Sequence, residues 1–132
     1  MIRISARDII VYTAIVLDNR SKDTLQRMYP GVHENYFANH VTLTYGKNEP
    51  HPRQGEEVNF VADDYATDNK GEAVQVNIGG IENDRQIPHI TISTAAGIGP
   101  RYSQELLAKG AQKIPPINLS GRIMAFNGRR FV

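Results

Sequence analysis

The sequence repeats one spacing of chemically active side chains. ANHVTLTYG, residues 38–46, places His40 two before Thr42, and IPHITISTA, residues 87–95, places His89 two before Thr91. Each pair sits among β-branched and aliphatic residues, so each reads as part of a strand. Alternate residues of a strand share a face. His40, Thr42 and Thr44 are therefore expected on one side, with Val41, Leu43 and Tyr45 on the other. In the second copy His89, Thr91 and Ser93 are expected opposite Ile90, Ile92 and Thr94. Either pair alone is common, because threonine is a strand former. Their recurrence sets them apart.

Two imidazoles and two hydroxyls meeting across one cleft suit phosphodiester cleavage without a metal. The reaction needs a base for the attacking oxygen and an acid for the leaving one. Imidazole, with a free pKa of about 6.5, serves as either near neutrality. Threonine hydroxyls can donate to the non-bridging oxygens, where charge builds in the transition state. The symmetry of the copies leaves open which histidine is base and which is acid.

Other chemistries find less support. His33, His40, His51, His89, Asp63 and Asp64 are metal-ligand types, but no His-x-His, His-x3-His or cysteine pair fixes two ligands on one element. No metal or other cofactor is expected. His33 and His51 lie in polar, loop-like sequence and are expected to be solvated. Asp63-Asp64 reads as a strand end or turn. There is no Ser or Cys nucleophile signature and no P-loop, and the glycines of AAGIGP (95–100) form no GxGxxG run.

The elements that must position these residues follow from pattern. DIIVYTAIVL, residues 8–17, reads as a buried strand, ended by Asp18-Asn19. Ser21 is expected to N-cap a short helix over 21–29, closed by Pro30-Gly31. Residues 31–39 read as loop, and 38–46 as the first histidine strand. The Pro- and Gly-containing stretch 47–57 is a loop. Strands are expected over 57–66 and 72–80 around a turn at 67–71, then the second histidine strand over 89–94. A second helix is expected over 101–113, with Leu106, Leu107 and Ala111 on its buried face. A closing strand over 115–128 leaves Arg129 to Val132 as a basic tail. Each histidine motif thus lies on a strand within one of two strand–helix–strand halves, giving one α+β domain over 1–132.

At 132 residues the chain can bury a real core. Fifteen basic against fourteen acidic side chains give a formal charge of +1, which excludes broad basic coating of nucleic acid but allows a few phosphate contacts in a pocket. The absence of cysteine suits a reducing cytoplasm. Arg3, Arg7, Asp8 and Asp18 interrupt the first twenty residues, so no signal peptide or membrane span is expected there.

HVTL at 40–43 and HITI at 89–92 resemble the paired motifs of the two-histidine (LigT-like) phosphoesterases. VYTAIVLDNRSKDTL is similar to that family's opening strand and helix, and PHITISTAAGIGPRYSQELL to its second catalytic segment; residues 47–86 match only loosely. Within the family the chain most resembles a compact branch that includes the cyclic phosphodiesterase domain of fungal tRNA ligases. That branch also includes small phage anti-CBASS proteins that cut the cyclic oligonucleotide signals of bacterial immunity. The resemblance implies antiparallel sheets in two lobes around a central cleft, helices outside, and no metal. It implies His40 and His89 as acid and base, and Thr42 and Thr91 as phosphate-binding hydroxyls. Tyr12 stands where related proteins often place an aromatic beside the base, and Thr44 and Ser93 are further substrate-binding candidates. Arg101, Arg122, Arg129 and Arg130 are within the range of possible phosphate contacts, or are solvated charges. The implied partner is a nucleotide: a cyclic oligonucleotide, a 2′,3′-cyclic phosphate or a short RNA. The implied setting is cytoplasmic, the host's cytoplasm for a phage protein. A non-catalytic nucleotide sponge and a plain interaction domain are the rival readings.

Overall fold

The computed structural model describes residues 9–132, so Arg3, Arg7 and Asp8 lie outside the described residues. The elements run β1 (Tyr12–Leu17), α1 (Asn19–Met28), β2 (Asn35–Tyr36), β3 (His40–Tyr45), β4 (Glu57–Thr67), β5 (Gly71–Asn77), β6 (His89–Thr94), α2 (Tyr102–Ala108) and β7 (Gln112–Phe126). The class is α+β. The strands join into one antiparallel sheet in the order β2-β6-β5-β4-β7-β1-β3. This one curled sheet, with the two histidine strands in its two halves, is compatible with the two lobes expected.

The curl follows from the core. Val41 and Leu43 of β3 pack in the same cluster as Ile90 and Ile92 of β6, with Phe60, Leu119 and Ile123 from the strands between. Strands near opposite ends of the sheet share one buried cluster, so its apolar face is the inside of the curl. Strand twist, accumulated over seven strands, supplies the curvature. The 15-residue β7 spans both halves, pairing with β4 over Gln112–Arg122 and with β1 over Gly121–Phe126. Gly121 sits where β7 pairs with both neighbours. A Cβ there would lie 2.4 Å from the Val16 carbonyl oxygen, so only glycine lets the strands approach this closely.

The chain closes the curl directly. After β2 pairs with β6, the Phe37 amide donates to the Ile92 carbonyl (2.8 Å) and the Ala38 amide to the Thr91 carbonyl (2.8 Å). Ala38 then turns with φ 50°, and β3 begins at His40. From the far side Asp84 completes the joint. Its amide donates to the Leu43 carbonyl (2.9 Å), and its carboxylate accepts the Tyr45 amide (3.0 Å).

Several expectations are corrected. Asp18, not Ser21, caps α1: its carboxylate accepts the Ser21 amide (2.8 Å). Ser21 lies inside the helix and is buried, its hydroxyl accepting the Ser120 amide (2.8 Å). A carboxylate at the N-terminal end also complements the helix dipole better than a hydroxyl. α2 stops at Ala108, well short of residue 113, because Gly110 takes φ +131° and Gln112 already starts β7. Residues 35–36, expected as loop, pair with β6. The last residues are no free tail. Val132 is buried and exchanges backbone hydrogen bonds with Ala125, and Phe131 bridges to Phe126. Arg129 and Arg130 remain exposed on the turn.

Asp63 and Asp64 lie mid-strand at a bulge in β4, where Lys113 pairs with Asp64 at 3.4 Å. His51 is buried: its Nε2–H donates to the Glu82 carbonyl (2.7 Å), and its Nδ1 accepts the Arg53 amide (3.0 Å). His33 is half-buried, its Nε2–H donating to the Asp68 carbonyl (2.8 Å). Both were expected in solvent; both pin loops to the sheet instead.

The Gly121→Ala variant is expected to lose about 1–3 kcal/mol of stability, the usual range for forcing atoms into a filled space. Urea unfolding checks it: the midpoint should fall with little change in slope, and an unchanged midpoint would mean that β1 and β7 can separate freely.

Candidate active site

His40 opens β3 and His89 opens β6, and with Thr42 and Thr91 they line one open cleft of about 480 Å3. The four residues singled out by their spacing are brought together. They occupy the face of each strand opposite the core, as alternation requires.

Each imidazole is oriented through Nδ1. The His40 Nδ1–H donates to Asn39 Oδ1 (2.7 Å), and the His89 Nδ1–H donates to the Ile87 carbonyl (2.8 Å). Both rings are thereby held in the tautomer that leaves Nε2 bare, which is the arrangement a proton-transferring imidazole needs. Burial, with the neighbouring His89 adding to it, pushes His40 from its usual 6.5 down to about 4. His89 is lowered too: burial dominates, the hydrogen bond to Ile87 opposes it, and the Arg85 guanidinium adds to the lowering. Both rings are therefore neutral at neutral pH. An entering phosphate would favour their charged forms.

The two threonines differ. The Thr91 hydroxyl lies 2.8 Å from the buried Ser103 hydroxyl and 3.3 Å from the Pro100 carbonyl at the start of α2. Among the described residues the Thr42 hydroxyl makes no such contact, so one half of the cleft is braced by a helix and the other stays open.

Thr44 and Ser93 do not reach the cleft. β1 pairs Thr13 with Thr44 but Ala14 with Thr42, leaving Leu43 as an extra residue. β5 pairs Glu72 with Ser93 but Ala73 with Thr91, leaving Ile92 extra. A one-residue bulge reverses the faces beyond it. Thr44 therefore turns inward, where it is buried and shares a hydrogen bond of 2.6 Å with Thr13. Ser93 is fully buried and donates to Glu72 (2.7 Å). The same irregularity sits at the same place in both motifs.

Residues that alternation assigned elsewhere fill the cleft instead. Tyr45, turned outward by the bulge, is 59% exposed and stacks on Tyr12 with ring centroids 6.0 Å apart. Tyr12, a site candidate from its place in the first strand, lines the cleft and stacks on His40 at 5.6 Å. Phe131 leans on both Tyr12 (5.9 Å) and His40 (5.8 Å), carried there by the C-terminal hairpin. The wall behind His40 is thus aromatic, and this wall removes water from the ring. Tyr12 itself is raised above its usual range by burial and by Tyr45.

Two arginines also line the cleft: Arg85 from the loop before β6 and Arg101 at the start of α2. Arg85 escaped the sequence reading because nothing in IENDRQ marks it. Its position four residues before His89 was the available signal. Arg122 lies elsewhere, bonded to Glu57 (2.8 Å) and the Gly55 carbonyl (2.7 Å). Among the described residues no three His, Asp or Glu side chains gather as a metal-binding group, and no helix is long and apolar enough to cross a membrane.

No family model matches the chain, and no curated protein matches it.

Two outcomes follow from the His40 surroundings. The unfolded chain binds a proton at this imidazole near 6.5 and the folded chain only near 4. Between those values the unfolded state holds more protons, so stability rises with pH there and falls on acidification. The melting temperature of the wild type should drop across this window, and His40→Asn should remove part of the drop; an equal drop in both would contradict the buried, neutral ring. In Phe131→Ala, admission of water should move the His40 titration, followed by its ring-proton NMR signal, up towards 6.5. An unmoved titration would show that Phe131 does not shield the ring.

Proposed function

We propose that this protein is a phosphodiesterase that cleaves a nucleotide phosphodiester by acid–base catalysis between His40 and His89, without a metal. The observation that carries the proposal is the convergence of two imidazoles, each fixed through Nδ1 with Nε2 left bare, on one cleft that also holds Thr42 and Thr91. The similarity of both motifs to those of the two-histidine phosphoesterases supports the same reading, as does the curled α+β sheet that joins them.

The step can be written with its protons balanced. For a 3′–5′ linkage, one neutral imidazole takes the proton of the neighbouring 2′-hydroxyl. The 2′-oxygen bonds to phosphorus, and the 5′-oxygen leaves with a proton from the other imidazole, giving a 2′,3′-cyclic phosphate. For a 2′,3′-cyclic phosphate, water is the nucleophile: one imidazole takes its proton, its oxygen bonds to phosphorus, and the bond from phosphorus to the 2′- or 3′-oxygen breaks as that oxygen takes a proton from the other imidazole. The acid must first gain a proton, and the anionic substrate supplies the field that raises its affinity for one. Thr42, whose hydroxyl has no partner among the described residues, and Thr91, braced by Ser103, face the non-bridging oxygens.

The stacked rings of Tyr12 and Tyr45, which line the cleft, offer a flat apolar surface for a base. A cleft of about 480 Å3 suits a small nucleotide better than a long RNA. We therefore favour a cyclic oligonucleotide or short RNA, as in the phage anti-CBASS branch that the sequence resembles. The cellular setting that goes with this is the cytoplasm.

The test is a panel of 2′,3′-cyclic nucleotides, cyclic di- and trinucleotides and short RNAs, incubated in excess chelator. His40→Ala and His89→Ala should each lose about 100- to 10,000-fold in rate, the span of general acid–base catalysis. Thr42→Ala should lose about a hundredfold, as expected for one donor to developing negative charge. Dependence on added metal, or activity that survives loss of either imidazole, would overturn the mechanism. Tight binding with no product would favour a nucleotide sponge.

A further inference from the structure

The cleft holds positive charge that the chemistry above does not use. Among the described residues its lining carries two imidazoles and two guanidiniums but no carboxylate. The chemistry above employs the imidazoles and threonines, and leaves Arg85 and Arg101 without a task.

The two arginines flank β6 in the chain. Arg85 lies four residues before His89, and Arg101, seven residues after Thr94, immediately precedes α2. Both line the cleft together with the stacked rings of Tyr12 and Tyr45 and the two His–Thr pairs.

Arg85 is built into place. Its Nε and Nη2 both bond Asp84 Oδ1, at 2.8 and 2.6 Å, and its amide donates to Asn83 Oδ1 (3.0 Å). Asp84 is itself fixed to β3 through the Tyr45 amide and the Leu43 carbonyl. The ion pair thus anchors Arg85 beside the joint between the two histidine strands. Asp84 offsets one guanidinium. Among the described residues no ion pair engages Arg101, so its positive charge stays uncompensated at the cleft.

We propose that Arg85 and Arg101 form a subsite for a second phosphate, so that the preferred ligand carries at least two phosphates on one nucleotide framework. The inference rests on the phosphodiesterase reading for the placement of the first phosphate. It separates the candidate substrates: a mononucleoside 2′,3′-cyclic phosphate leaves the arginine subsite empty, whereas an oligonucleotide, linear or cyclic, fills it. Arginine suits the role because its planar fork pairs with two phosphate oxygens and stays charged at any working pH.

Isothermal titration of the full chain in excess chelator tests the subsite without turnover. Adenosine 3′-monophosphate and 5′-monophosphate are the one-phosphate probes, and adenosine 3′,5′-bisphosphate is the two-phosphate probe. The wild type should bind the bisphosphate about tenfold or more tightly than either monophosphate, the gain expected from a charge-assisted hydrogen bond. Arg101→Ala should bring that ratio close to parity, and Arg101→Lys should keep part of it. Arg85→Ala should act in the same direction, but its ion pair also anchors a loop, so the Arg101 variants decide. Parity in the wild type, or a ratio untouched by Arg101→Ala, overturns the subsite. A preference for the bisphosphate with no turnover of any diester supports the subsite and defeats the phosphodiesterase reading. Turnover without that preference does the reverse.

Discussion

Two backbone hydrogen bonds decide how far apart the histidines stand. In the sheet, β3 and β6 are separated by β1, β7, β4 and β5, and ladder pairing alone would not bring them together. The amides of Phe37 and Ala38 bond to the carbonyls of Ile92 and Thr91, and the Leu17 amide bonds to the Asn39 carbonyl (3.0 Å). The three residues before His40 are thereby stitched to β6 on one side and to β1 on the other. Ala38 accepts a left-handed backbone, unusual for a residue with a Cβ and costing on the order of 1–2 kcal/mol, so that the chain can pass from one ladder to the other. The buried cluster shared by Val41, Leu43, Ile90 and Ile92 offsets that strain and holds the joint closed.

This closure places the imidazoles where water is scarce and like charges are close. Both effects push in the same direction, towards neutral rings, and the aromatic wall strengthens the first of them. The cleft therefore holds its charge in the arginines rather than the histidines. A nearby anion favours the charged form of each imidazole, and each proton so gained strengthens the anion's binding, so anion entry and proton uptake are linked.

The motifs and the strands that carry them were legible because both depend on local pattern. HVTLTY and HITIST announce β-structure through branching and alternation, and their shared spacing points to one cleft. What lay beyond reading depends on partners distant in the chain. The bulges exist only in the pairing with β1 and β5, so the inward turn of Thr44 and Ser93 had no local sign. Phe131 looks like part of a basic tail until Phe126 is seen opposite it. His51 resembles any loop histidine until the Glu82 carbonyl is found at its Nε2. The continuity of the curled sheet likewise rests on β7 serving both halves at once. The cap of α1 is a smaller case: Asp18 and Ser21 both carry capping chemistry, and the sequence does not rank them.

The extra residue in each motif strand works like a frameshift written in the backbone. Up to Thr42 and Thr91, every second side chain is read by whatever occupies the cleft; past Leu43 and Ile92, the same parity is read by the protein interior. Positions 44 and 93 consequently answer to hydrogen-bonding neighbours inside the fold, Thr13 and Glu72, rather than to a ligand. Drift at these two sites would be policed by folding, while drift at position 45, one step further along, is free to reshape what the cleft accepts.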